Sequence, residues 1–268
     1  ISDSGKALAL DYGYLWFPIG MARYPKPENR RPLLHSVDEL KSRFGIDRID
    51  VVLLSHFHDD HVIGVPVLQR LYDTQCWAAQ SFADLVEDPA AYGFPCTSPE
   101  PMKVDRRIGF EQTVRWEEYE FHIAPMSGHT RFSALIGFEA DGKRFGHVGD
   151  QYFFQRNDVP PSASNPFTHS FVYSNGALLD GYEQSARWLT SWQPDILIGG
   201  HINPTPIDDQ FLTMADNWAR EYRESHQQAM PLADNEAHFN MDSWCGWIWP
   251  YRLHLCEPGP ASVRVTVR

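Results

Sequence analysis

The chain has 268 residues, enough for one or two domains and a sizeable core. Its 43% hydrophobic and 22% charged residues exclude a disordered chain and a coiled coil, and 18 Gly with 20 Pro in no G-X-Y period exclude collagen. A net charge of −12 repels phosphate backbones and argues against broad nucleic-acid binding, whereas 12 His in so acidic a chain call for a search for metal ligands.

Ala7 to Tyr14 reads as a strand ending in a turn, and residues 25–32 as a Pro-rich loop. Ser36 and Glu39 form a capping box with Gly45 beyond, which predicts a helix over 37–44. Ile49 to Leu54 is a short apolar, β-branched run, the pattern of a buried strand. A helix over 64–72, a strand over 76–79, a helix over 82–87 and a Pro-rich loop over 88–101 follow. Strands over 113–116 and 120–124 precede two more, 133–139 and 143–148, joined by the hairpin signal Asp141-Gly142. Residues 152–181 are aromatic and irregular, and a loop of that length is usually functional. A helix over 182–192, a buried strand over 195–198 and a long amphipathic helix over 207–228 come next. Residues 238–268 return to strands, with Trp244, Trp247 and Trp249 expected to pack a core or a domain interface. Strands and helices alternating in two halves give an α/β architecture.

The four cysteines, Cys76, Cys96, Cys245 and Cys256, form no CxxC pair and so no Cys-rich zinc knuckle. Cys245 and Cys256 could face each other across a hairpin, although packed free thiols are the expectation in a chain of this size. There is no signal-peptide pattern and no run of about 18 apolar residues. The chain starts with Ile1 almost directly in a strand and stops within another, 262–268. Those ends read as a piece cut from a longer protein, so no compartment follows from the sequence.

Directly after the buried strand 49–54 stands Ser55-His56-Phe57-His58-Asp59-Asp60-His61. In extended backbone His56 and His58 point the same way, and Asp60 and His61 follow as the chain turns into a helix. Four metal-ligating groups in six residues could grip two adjacent ions, one pair each. Gathering them beside a buried strand without a ligand would be costly.

His56-Phe-His58-Asp-Asp60-His61 resembles the H-x-H-x-D-H signature of the metallo-β-lactamase fold superfamily. Three further matches follow in order at strand ends: Gly128-His129-Thr130, Gly149-Asp150 and Gly200-His201. The resemblance spans roughly residues 7–205. It implies an αββα four-layer sandwich, two mixed β-sheets with helices outside. It also implies a catalytic domain over 1–235 whose first strands are missing, leaving 236–268 as a Trp-rich tail that starts or docks a further domain. In the family's pattern His56, His58 and His129 bind one metal, Asp60, His61 and His201 a second, and Asp150 bridges both. Two divalent ions are thus expected. Zinc is the first choice, and imidazole with carboxylate also suits Fe or Mn.

The implied function is a metal-dependent hydrolase whose bridging hydroxide cleaves a small ester, thioester, lactone or phosphodiester, with Asp60 orienting the hydroxide or shuttling a proton. An Asp at position 150 is what the family's true β-lactamases generally lack, which lowers antibiotic hydrolysis to a side activity. The acidic balance argues against a tRNA substrate, so a small-molecule substrate is the expected partner, with no membrane; the oligomeric state is open. Tyr152, His169, Tyr173 and Tyr182, in or beside the loop that follows Asp150, and Asn203, just after His201, are candidate substrate contacts. His147 lies in the strand before Asp150 and is expected to be structural. Two alternatives stand beside this reading. One is a mononuclear-iron oxidoreductase like the family's persulfide dioxygenases; the other is a non-catalytic member that binds a ligand.

Overall fold

The structure, a computed structural model, describes residues 1–13, 32–92, 96–154, 167–169, 180–229, 253–255 and 265–267. The chain divides into two compact units, 1–123 and 124–268.

The first unit is built on a four-stranded parallel sheet. Its strands, in sheet order, are β1 (Leu8–Leu10), β2 (Val51–Leu53), β3 (Gln75–Ala79) and β4 (Arg106–Ile108). All three residues of β2 and the last four of β3 are buried. Strands covered on both faces need continuous apolar runs, as IDVVLL and CWAA supply. Each Val or Leu fully buried there contributes about 1.5–3 kcal/mol. The strands are linked by α1 (Pro32–Phe44), the short α2 (Asp59–Val62), α3 (Val65–Tyr72) and α4 (Gln80–Glu87). Helix α3 turns Val65 and Leu68 inward, and α4 turns Phe82, Ala83, Leu85 and Val86 inward. A hairpin of β5 (Gln112–Trp116) and β6 (Tyr119–Pro125) follows, with Val114 opposite Phe121.

In the second unit β7 (Ala134–Ala140) and β8 (Lys143–His147) form an antiparallel pair. The turn residues Asp141 and Gly142 have φ of 52° and 68°, the left-handed pair that Asp-Gly favours. Strand β8 then runs parallel to β11 (Ile196–Ile198), which carries β12 (Thr205–Pro206) on its other side. Helices α5 (Gly181–Trp192) and α6 (Asp209–Ala229) contribute to a core of Tyr182, Ala186, Leu189, Phe211, Ala215, Trp218 and Tyr222 with Val148 and Leu197. Trp218 and Tyr222 stack at 5.8 Å. Strand β9 (Tyr152–Phe154) pairs with β10 (Phe167–His169), and β13 (Leu253–Leu255) with β14 (Val265–Val267).

Two expectations need correcting, and one strand is new. Helix α1 begins at Pro32, so Ser36 is not its cap; its hydroxyl instead shares a hydrogen bond with the Tyr12 hydroxyl at 2.6 Å. Proline is at home in a first helical turn, where its missing N–H has no partner to lose. Strand β4 was not foreseen, because Arg-Arg-Ile lacks an apolar period and is recruited as the edge partner of β3. The segment expected to be irregular after Asp150 begins with the β9–β10 pairing. The Trp-rich stretch, Tyr173, Cys245 and Cys256 lie outside the described residues. Cys76 is buried in β3 as a free thiol, and its burial pushes the thiol pKa up, so it stays neutral. Among the described residues no helix is long and apolar enough to cross a membrane.

Candidate metal centre

In the first unit the metal-ligating residues leave the carboxyl end of β2, where open α/β sheets place ligands. Leu54 N–H donates to Trp77 O and holds the exit of the strand. The His-rich turn is then fastened on two sides. Tyr12 N–H donates to His61 O, and Gly64 N–H donates back to Tyr12 O. On the other side Asp59 N–H donates to Cys96 O, and His58 bridges to Thr97.

The imidazoles of His56, His58 and His61 are all buried. The His56 ring lies 4.6 Å from that of His58, edge on, and 4.1 Å from that of His61. The two-residue spacing therefore puts His56 and His58 side by side, as extended backbone requires. Asp60 is partly buried, with an oxygen 4.0 Å from His61 Nε2.

Asp11, just past β1, sets the orientation of this group and went unnoticed in the sequence. Its Oδ1 accepts from Ser55 N–H at 2.7 Å; its Oδ2 accepts from the Ser55 hydroxyl at 2.7 Å and faces His61 Nδ1 at 2.8 Å. A carboxylate only accepts, so His61 Nδ1 carries the proton and Nε2 presents the lone pair. The Ser55 hydroxyl spends its proton on Asp11, so at 3.0 Å it accepts from His56 Nδ1, and the lone pair of His56 is on Nε2 as well. Asp11 lies close enough to His56 and His61 to be counted with them as a ligand. Its oxygens are committed to Ser55 and His61, however, which makes it an orienting group. Asp59, the neighbour of Asp60, has its carboxyl pushed up to about 6, first by burial and then by the Asp60 charge.

The second unit holds the other three predicted ligands. Strands β8 and β11 are parallel and in register, with His147 opposite Ile198. Asp150 and His201 each stand three residues beyond those partners, so they emerge together. Val148 N–H to Ile198 O and Gly200 N–H to Gly149 O extend the pairing into the loops. Gly199 allows that closeness, since a Cβ there would meet Gly149 O at 2.6 Å. One oxygen of the buried Asp150 stands 3.4 Å from His201 Nε2 and 3.9 Å from His129 Nε2. His129 sits in a tight turn after β6, closed by Met126 N–H to Ser133 O and by Thr130 with Ser133 at 2.6 Å.

Of the expected substrate contacts, Tyr152 and Tyr182 are buried. Both side chains lie inside the core, Tyr152 edge on to Phe211 and Tyr182 edge on to Tyr222. His169 pairs with Tyr152 through the β9–β10 backbone, and Asn203 is exposed, its carbonyl accepting from the Thr205 hydroxyl. His147 is buried at the end of β8.

The donor set fits metal ions. Imidazoles and carboxylates gathered in buried and partly buried positions, with two tautomers fixed from behind, are what first-row divalent cations bind.

A model of the metallo-β-lactamase superfamily matches residues 24–173, more than half of the chain. A hydroxyacylglutathione hydrolase of Stenotrophomonas maltophilia is 30% identical over 121 residues, 44% of this chain and 39% of that relative. The chain thus spans well under half the length of this curated relative. Among solved structures, the metallo-β-lactamase MIM-1 from Novosphingobium pentaromativorans overlays with a TM-score of 0.59 at 14% identity, covering 87% of this chain and 85% of that one. GOB-18 from Elizabethkingia meningoseptica gives 0.57 at 13% identity, covering 85% and 84%. These overlays show a shared fold. The chain belongs to the metallo-β-lactamase superfamily. Its groups of His and Asp side chains suit the divalent metal binding of that superfamily.

Proposed function

We propose that the chain is a dinuclear hydrolase of a small thioester or ester. His56, His58 and His129 would hold one ion, Asp60, His61 and His201 the other, and Asp150 would bridge them. Zinc is the expected metal, with Fe and Mn as substitutes. The observation that carries this reading is Asp150, a buried carboxylate within 3.9 Å of one imidazole from each set.

When bound, such ions acidify water and polarise an acyl oxygen. The protein's own residues do the rest. Asp11 and Ser55 hold His61 and His56 from their Nδ1 sides, so that Nε2 of each would serve an ion. Asp60, at the mouth of α2, would orient the attacking water and take up its proton. An acyl group attached to a good leaving thiol or alcohol suits a site whose donors are all His and Asp. The hydroxyacylglutathione hydrolase relative favours the thioester.

The test strips the protein with a chelator, restores zinc, and follows an acyl-glutathione thioester, an aryl ester, a phosphodiester and a chromogenic β-lactam. Zinc-dependent turnover led by the thioester or ester is expected. Fully metallated protein inert on both, or faster on the β-lactam, would overturn the proposal.

A further inference from the structure

Resting on the metal-ligand reading of His129 and Asp150, we propose that Gln151 is a positioning residue that sets His129 for its ion. Gln151 is fully buried and directly follows Asp150. Its Oε1 accepts from the backbone N–H of His129 at 3.0 Å, and its Nε2 donates to the Ser185 hydroxyl at 3.0 Å. Ser185 passes its own proton to Gly181 O at 2.9 Å, so the bonds run in one direction from Gln151 through Ser185 to the helix backbone. One carboxamide therefore ties the His129 turn to the first turns of α5 from a residue bonded to Asp150.

The fit is close. A Cβ at Gly128 would meet Gln151 Nε2 at 2.3 Å and Oε1 at 2.7 Å, and a Cβ at Gly181 would meet Ser127 C at 2.4 Å. Two glycines thus let the amide and the helix start close on residues 127–129. Glutamine suits the position because it offers an accepting oxygen and a donating NH2 on a single flat group. Methionine would match its length but leave the His129 N–H buried and unpaired. Glutamate would keep the acceptor for His129, and Ser185 could turn its proton to the other oxygen.

The experiment measures stepwise zinc affinity by competition with a chromophoric chelator for wild type, H129A, Q151M, Q151E and S185A. H129A is expected to lose one equivalent. Q151M should weaken that same equivalent by about 10- to 100-fold and spare the other, as removal of a group that orients a ligand does. Q151E should restore most of it, and S185A should show a smaller loss at the same step, which serves if Q151M does not fold. A deficient H129A with Q151M unchanged would overturn this proposal alone, as would equal loss of both equivalents in Q151M and Q151E. H129A binding zinc as wild type would overturn the metal reading of His129 and the proposal with it.

Discussion

Asp11 is held with φ at 60°, a left-handed conformation that costs about 1–2 kcal/mol outside glycine. Hydrogen bonds to a charged acceptor contribute about 1.5–3 kcal/mol each, and Asp11 accepts three at 2.7–2.8 Å, so the bonds outweigh the strain. Asn at position 11 would offer one acceptor atom and set its NH2 against either Ser55 or His61. Asp11→Asn is therefore expected to weaken metal binding about 10- to 100-fold in a chelator competition. Unchanged affinity would show that the ligand tautomers do not depend on Asp11. The proposed ligands were legible in the sequence, because four of them fall within six residues and the other three each follow a strand with a Gly nearby. Asp11 and Gln151 were not. Each is a single ordinary residue whose role exists only once β1 lies beside β2 and α5 closes on the His129 turn.

Helix α5 illustrates how elements position the site. Its first residue, Gly181, packs against the backbone of Ser127 and Gly128. Replacing it by Ala would raise helix propensity by at most about 1 kcal/mol. The added methyl would stand 2.4–2.6 Å from backbone atoms that cannot swing aside, and overpacking of this kind costs about 1–3 kcal/mol. The steric term wins, so Gly181→Ala should lower the unfolding free energy in urea despite the better helix former. A neutral or stabilising result would mean that α5 does not press on the His129 turn. Most elements were legible from periodicity and punctuation, α3, α4, α5 and the β7–β8 hairpin among them. The start of α1 was not, because Ser36 and Glu39 imitate a cap while Pro32 begins the helix. Strand β4 was missed for a different reason, since an edge strand that reads Arg-Arg-Ile is made by its neighbour β3 and not by its own composition.

At the scale of the molecule, the proposed ligands divide between the two compact units. His56, His58, Asp60 and His61 fall in 1–123, and His129, Asp150 and His201 fall in 124–268. Ions served by both sets would stabilise the whole chain, because they bind only where both sets are folded. At a free metal concentration 1,000 times Kd the gain is about 4 kcal/mol, or roughly 10 °C in Tm for a chain of this size. A strong chelator should therefore lower Tm by about that amount, and added zinc should restore it. A melting curve indifferent to chelator would mean that the ions do not serve both units. The family was legible from the motif order alone, while the substrate was not: fold and ligands define a reaction class, and specificity resides in surfaces that no motif records.

The most direct measurement is the metal content of the purified protein by plasma mass spectrometry, on wild type and on Asp150→Asn side by side. The account predicts about two equivalents of zinc, or of manganese in its place, per wild-type chain. Asp150→Asn should hold distinctly less, since the shared carboxylate is weakened. One equivalent of iron, or folded protein that takes up no metal when zinc is supplied, would contradict the dinuclear site and the hydrolytic mechanism built on it.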